Sequence, residues 1–141
     1  MLGESKIAML VMMLCSLLSA GGPRRSNQVY IPGKQTDFYL YEKGEASWYG
    51  PGFHGKTTAG GKTFNTYHFM VAHKTLPIGE VICVRNPANN RVIVCEVADR
   101  GPFVRGRIID LSYTAMNRLG LVSSGHGMIE IYRTADARVR Q

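Results

Sequence analysis

Residues 97 to 112 read VADRGPFVRGRIIDLS, which sets Asp99 and Asp110 at the two ends of one loop among Arg100, Arg105 and Arg107. Lysine and arginine outnumber aspartate and glutamate by 17 to 10, so two carboxylates placed this way stand out. Either they hold a turn in shape or they move protons. Gly101-Pro102 forces a turn just after Asp99, and an aspartate there can accept backbone N–H bonds. Asp110 follows Ile108 and Ile109, so its carboxyl emerges from an apolar strand end. Lying just ahead of a helix, it could equally serve as a capping anion. Two carboxylates brought close together disfavour each other's ionisation, which is one way to keep a transferable proton available.

The elements that must position these groups follow from texture along the chain. The apolar run Ile7 to Ala20 follows Lys6 and breaks at Gly21-Gly22-Pro23. It is short for a membrane span and sits where a secretory h-region belongs. Small residues at Ser19 and Gly21 favour cleavage after Gly21, making residues 1–21 a signal peptide; the alternative is an uncleaved N-terminal anchor. Cys15 lacks a lipoprotein context, because the apolar run continues past it. Loss of Glu4 and Lys6 with this segment leaves the formal charge of +7 unchanged. Residues 22–44 have no sustained period and read as a tether, in which FYLYE can add an edge strand. Residues 134–141 read as a basic tail.

From Glu45 onward, short apolar or alternating runs are separated by glycine and proline turns: EASWYG, HFMVAHKTLP, EVICVRN, RVIVCEVADR, RIIDLS and GMIEIYR. Many short strands of this kind argue for a small closed barrel, since closure removes exposed edges. One helix is expected over Tyr113–Leu119, capped by Ser112, with Ala115, Met116 and Leu119 on one face and Gly120 as terminator. Cys83 and Cys95 flank a strand–turn–strand stretch, and in an exported chain they are candidates for one disulfide. For the two to stand directly opposite, paired residue numbers must sum to 178, which an odd-length loop would give. The alternative is two buried thiols. The four histidines lack tight ligand spacing, so no metal site and no cofactor are expected. The basic residues are scattered, with no recognition helix or aromatic-flanked basic stretch. Nucleic acid is not an expected partner, and a polyanionic envelope better accounts for the charge.

Taken in order, ASWYG, FHGKTTAGG, MVAHKTLPIG, VRNPANNRVIV, ADRGPF and RIIDLSYTAMNRLG resemble the double-psi β-barrel domain of the rare lipoprotein A family, the septal-ring lytic transglycosylases. The resemblance covers residues 45–133. It implies an all-β fold, a small six-stranded double-psi β-barrel with one short helix. It also implies an exported monomer of the periplasm or cell envelope, or a secreted one, with no membrane contact beyond the signal peptide and peptidoglycan glycan strands as partner. The implied activity is cleavage of the β-1,4 bond between N-acetylmuramic acid and N-acetylglucosamine, leaving a 1,6-anhydro end. Such a reaction needs one carboxylic acid that protonates the glycosidic oxygen and later takes the proton of the C6 hydroxyl, with no second nucleophilic carboxylate.

On this resemblance Asp110 is the expected general acid and base, as in the DLS element of other glycan-acting double-psi barrels. Asp99 and His73 would support it, although a turn aspartate and a satisfied structural histidine are the competing roles. His54 reads as loop architecture. Trp48 and Tyr49 are candidate sugar-stacking platforms or barrel wall, and Ser47 a hydrogen-bonding neighbour of substrate or of the strand edge. Arg100, Lys62 and Asn65 complete the expected substrate contacts. The stretch TAGGKTFN departs from the family pattern, which has glutamate at Lys62 and aspartate at Asn65. A groove that depended on those acids would bind without cutting, as an expansin-like wall-loosening module. A third possibility is a secreted partner-binding domain without glycan affinity.

Overall fold

The computed structural model describes residues 27–31 and 34–134. The expected signal peptide, residues 1–21, and the tail from residue 135 lie outside the described residues. Among the described residues seven strands are present: β1 (Asn27–Ile31), β2 (Lys34–Trp48), β3 (Met70–His73), β4 (Val81–Arg85), β5 (Val92–Asp99), β6 (Arg107–Leu111) and β7 (His126–Thr134). One helix, α1 (Tyr113–Leu119), joins β6 to β7. The strands run in the order β1-β2-β6-β3-β5-β4-β7, and β7 pairs back onto β2. Six strands therefore close into a barrel, with β1 added outside it on β2. Two neighbouring pairs, β2 with β6 and β3 with β5, are parallel, and the other pairs are antiparallel. Sequence-remote strands are thereby interleaved, as a double-psi barrel requires. Among the described residues, no helix is long and apolar enough to cross a membrane.

The barrel closes because its strands present one apolar side each. Ala46, Val71, Val84, Val97, Ile109 and Ile131 meet in the interior, and α1 adds Ala115, Met116 and Leu119 over it. The helix has the expected bounds. Ser112 Oγ accepts from the Ala115 N–H at 3.3 Å, and Gly120 ends the helix in the left-handed region at φ 74°, where a side chain would be strained.

Two expectations need correction. Residues 34–44, read as a tether with at most an edge strand, belong to a fifteen-residue strand, which pairs with β7 from Phe38 onward. A register shift between Leu40 and Glu42 breaks the alternation there, so the pattern does not look like strand in the sequence. The Cys83–Cys95 bridge is also not formed. β4 and β5 pair Ile82 with Cys95 and Cys83 with Val94, one residue out of the register that a bridge needs. Alternation then sends the two thiols to opposite faces. Cys95 lies in the barrel core, and Cys83 packs with Val92, Phe38 and Tyr132 on the other side.

Between β2 and β3 a small hairpin folds over the outside of the barrel, bridged at Thr57 and Thr63. Its tip rests on the end of β5, where the Gly60 N–H donates to the Ala98 carbonyl at 3.1 Å. A Cβ at Gly60 would lie 2.8 Å from that carbonyl oxygen and 2.6 Å from Ile78. Only glycine lets the tip come this close.

Candidate functional site

The strand pairing lines up residues that lie far apart in the sequence. Ala72 of β3 pairs with Asp99 of β5 on one side and with Asp110 of β6 on the other. Asp110 pairs in turn with Ser47 of β2, and Ser47 with His126 of β7. Directly paired residues share a face of the sheet. Their neighbours Val71, Ala46, Ile109 and Leu111 fill the interior, so this row lies on the outer wall. The two aspartates, one strand either side of Ala72, have backbones about 10 Å apart. The loop that separates them in sequence brings them to one surface.

Each carboxylate is held differently. Ser47 Oγ donates to Asp110 Oδ1 at 2.6 Å, and Arg107 Nη1 donates to the same serine oxygen. Among the described residues, Asp110 Oδ2 takes no hydrogen bond from the protein. Asp99 has both oxygens engaged. Its Oδ1 accepts the N–H groups of Ala59 and Arg100, each at 2.8 Å, and its Oδ2 accepts the Tyr49 hydroxyl at 3.2 Å. Burial pushes the Tyr49 phenol upward from its ordinary range, and the nearby charge and hydrogen bond of Asp99 and the charge of Asp110 push it further. Tyr49 therefore stays a neutral donor within reach of the fields of both carboxylates.

Tyr49 is 8% exposed and packs with Phe64, Met70, Ala72 and Ala98. It offers its hydroxyl to the site and has no open ring face for a sugar. Trp48 is half-buried, packed against the core and edge-on to Tyr113 at 5.6 Å. The exposed rings near the row are ones the sequence analysis passed over. Phe53 lies 5.2 Å from the Tyr49 ring. Phe103 is 88% exposed beside Gly101. An aromatic residue in a glycine- and proline-bounded loop was the available signal for both.

His73 follows Ala72 and so points to the other face of β3. It is buried, with Nδ1 accepting the N–H groups of Thr75 and Leu76 at 3.2 and 3.1 Å. Its hydrogen is therefore on Nε2, which donates to Glu42 Oε2 at 2.9 Å. The structure brings His73 to Glu42 rather than to the two aspartates. Together with Tyr41, Lys74, Thr75 and Ile108 they line a cleft of about 380 Å³. Arg100 Nη1 donates to the carbonyls of His73 and Leu76 at 3.2 and 2.7 Å, tying down the turn after β3. Lys62 forms an ion pair with Glu96 of β5. Asn65 accepts the Tyr67 N–H at 2.9 Å, forming a local turn. Glu42 and Glu96 are polar neighbours that sequence reasoning missed, and Arg107, visible there only as a loop arginine, is brought to Ser47 by the fold.

Comparison with known proteins gives this geometry a family. The sequence model of the family described as Lytic transglycolase matches residues 41–131. The chain is 48% identical over 85 residues to the probable endolytic peptidoglycan transglycosylase RlpA of Aquifex aeolicus, covering 60% of this chain and 38% of that protein. It is 49% identical over 88 residues to the endolytic peptidoglycan transglycosylase RlpA of Campylobacter jejuni, covering 62% of this chain and 32% of that one. The chain thus spans about a third of the length of these relatives. Among solved structures, the Streptomyces papain inhibitor matches with a TM-score of 0.52 and 23% identity, over 67% of this chain and 96% of that one, a likeness of fold. A match over most of the described strands, together with the closed barrel, means that the chain belongs to the lytic transglycolase family of double-psi β-barrels.

Proposed function

We propose that this chain is a peptidoglycan lytic transglycosylase working outside the cytoplasm, with Asp110 as its general acid and base. The observation that carries the reading is the asymmetry of Asp110, whose Oδ1 is anchored by Ser47 while Oδ2 has no protein partner among the described residues. An acid that delivers a proton needs one oxygen fixed and one free. The relatives named as endolytic peptidoglycan transglycosylases support the substrate class.

In the proposed reaction Asp110 Oδ2 gives its proton to the glycosidic oxygen as the bond to C1 of the muramic acid breaks. The C6 hydroxyl of the same sugar attacks C1, and its proton returns to Asp110. No water is consumed, and the product carries a 1,6-anhydro ring. Asp99, with its orientation fixed by two backbone N–H groups and Tyr49, is the negative neighbour of the developing oxocarbenium charge. Phe53 and Phe103 are the rings placed to stack on sugar faces. Arg100 acts by holding the turn after β3, and His73 by holding β3 against Glu42. The cation of Lys62 is matched by Glu96, so it reaches the site as part of a pair.

The test incubates the chain, beside Asp110→Asn and Asp99→Asn, with peptide-stripped glycan strands and with intact sacculi. Mass spectrometry then looks for 1,6-anhydromuramyl ends. The expected result is product from the wild type, none from Asp110→Asn, and reduced product from Asp99→Asn. Product that survives in Asp110→Asn and disappears in Asp99→Asn would move the acid to Asp99. Retention on glycan without any product would make the barrel a binding module.

A further inference from the structure

Ser47 Oγ stands between Arg107 and Asp110, in contact with Arg107 Nη1 and 2.6 Å from Asp110 Oδ1. A guanidinium has donors and no acceptor. In the Arg107 contact the serine oxygen must therefore accept, and its one hydrogen is left for another partner. Ser47 is 5% exposed, and among the described residues its hydroxyl has only these two contacts. Turning the hydrogen away from Asp110 would strand a buried donor. The hydrogen bonds therefore run one way, from Arg107 to Ser47 and from Ser47 to Oδ1.

We infer that Arg107 and Ser47 are positioning residues that keep the acid proton of Asp110 on Oδ2 and so fix the direction in which it is delivered. The inference rests on the reading of Asp110 as proton donor. A proton on Oδ1 would set two hydrogens between the same pair of oxygens. With Ser47 donating to Oδ1, the proton belongs on Oδ2. After transfer, Ser47 still occupies Oδ1, so Oδ2 is the oxygen with lone pairs free to take the C6 hydroxyl proton. One oxygen then serves both halves of the reaction, and the carboxyl need not rotate.

The rest of Arg107 agrees with this role. Its Nε is buried with no hydrogen-bond partner among the described residues, an arrangement native structures seldom keep. The placement is dictated by the Nη1 contact and not by satisfaction of the whole guanidinium. The charged and titratable groups around Asp110 are Arg107 on its own strand, Glu45 of β2 with its partner His126 of β7, Tyr49 beyond β2, and Asp99 across Ala72.

Two measurements test this. Neutron diffraction from a deuterated crystal of the chain, grown at acidic pH, should place deuterium on Ser47 Oγ directed at Oδ1 and a second deuterium on Oδ2. Deuterium on Oδ1 directed at Ser47 would overturn the inference whether or not the chain cuts glycan. In kinetics on stripped glycan strands, Ser47→Ala and Arg107→Gln should lower kcat about 10- to 100-fold with KM within about twofold. Gln offers an oxygen that lets the serine turn round. The alkaline limb of the kcat–pH profile, where a required proton donor is lost, should move in both variants, and Ser47→Thr, which keeps the hydroxyl, should recover most of the rate. Folded variants with an unmoved pH profile would reduce the pair to scaffolding. Absence of product from the wild type would sink the transglycosylase reading and leave the neutron result to decide where the proton sits.

Discussion

Asp99 and Asp110 flank one alanine: Ala72 is paired with the first through β5 and with the second through β6. The Tyr49 ring packs on that alanine and feels the charge of both aspartates. Ala72→Leu should therefore do two things. It overpacks a site that is 1% exposed, costing about 1–3 kcal/mol, and it displaces the Tyr49 ring whose hydroxyl steadies Asp99. Glycan cleavage should be lost in a chain that still unfolds cooperatively in urea, while Ala72→Ser keeps it. Full cleavage by a folded Ala72→Leu chain would mean that the substrate does not lie over this row.

Two buried phenols make alkaline stability a second prediction. Tyr49 is pushed upward by burial, by Asp99 and by Asp110, and Tyr132 is pushed up to about 12 by burial and by Glu130. An unfolded tyrosine ionises near 10.0. Below that pH both states keep the proton and the contribution to stability is whole. As pH rises past 10 the unfolded chain releases protons that the folded chain retains, so stability falls on through the folded values. Urea midpoints measured between about pH 9 and pH 11.5 should decline, and less steeply in Tyr49→Phe. That variant should lose about 1 kcal/mol at neutral pH for the hydrogen bond to Asp99. Identical slopes in the two chains would mean that Tyr49 titrates as an exposed phenol.

What the sequence revealed and what it concealed divide along a physical line. Helix α1 was legible because its signals are local: Ser112 caps it, Gly120 ends it, and Ala115, Met116 and Leu119 share a face. Strands β4 to β7 were legible as β-branched runs between turns. Before Glu45, β2 was legible only as a possible edge strand at FYLYE, because a bulge removes its alternation. The site was visible as residue types and hidden as geometry. Ser47 meets Asp110 only through a parallel pairing of strands, and Arg107 reaches Ser47 across sixty positions of sequence. His73 looked equally plausible beside the aspartates, and only the strand's alternation sends it to Glu42 instead.

The cysteines give a third prediction. With Cys83 opposite Val94 and Cys95 opposite Ile82, air or glutathione oxidation should leave the folded chain without a Cys83–Cys95 linkage. Non-reducing peptide mapping by mass spectrometry reads this directly. Cys95 should also resist thiol reagents until the chain unfolds, since burial pushes its thiol upward and the residue is only 3% exposed. A cross-linked peptide would require β4 to slip by one residue, turning its apolar face outward.

The buried ion pair at the end of β7 carries the last prediction. Arg133 is 3% exposed and donates through Nε and Nη2 to both oxygens of Glu80, at 2.6 and 2.8 Å. Its guanidinium also lies 5.0 Å from the Tyr41 ring centroid. The pair ties β7 to the turn that enters β4. Glu80→Ala leaves a buried guanidinium without its carboxylate and should cost about 3 kcal/mol. Arg133→Met leaves a carboxylate that is only 13% exposed and should cost a similar amount. The double variant Glu80→Leu, Arg133→Met removes both charges together, so its loss should fall short of the two single losses by about 1–3 kcal/mol. Urea unfolding of the four chains measures that coupling. Strict additivity would mean that water already reaches the pair and that the link between β7 and β4 rests on backbone pairing and packing alone.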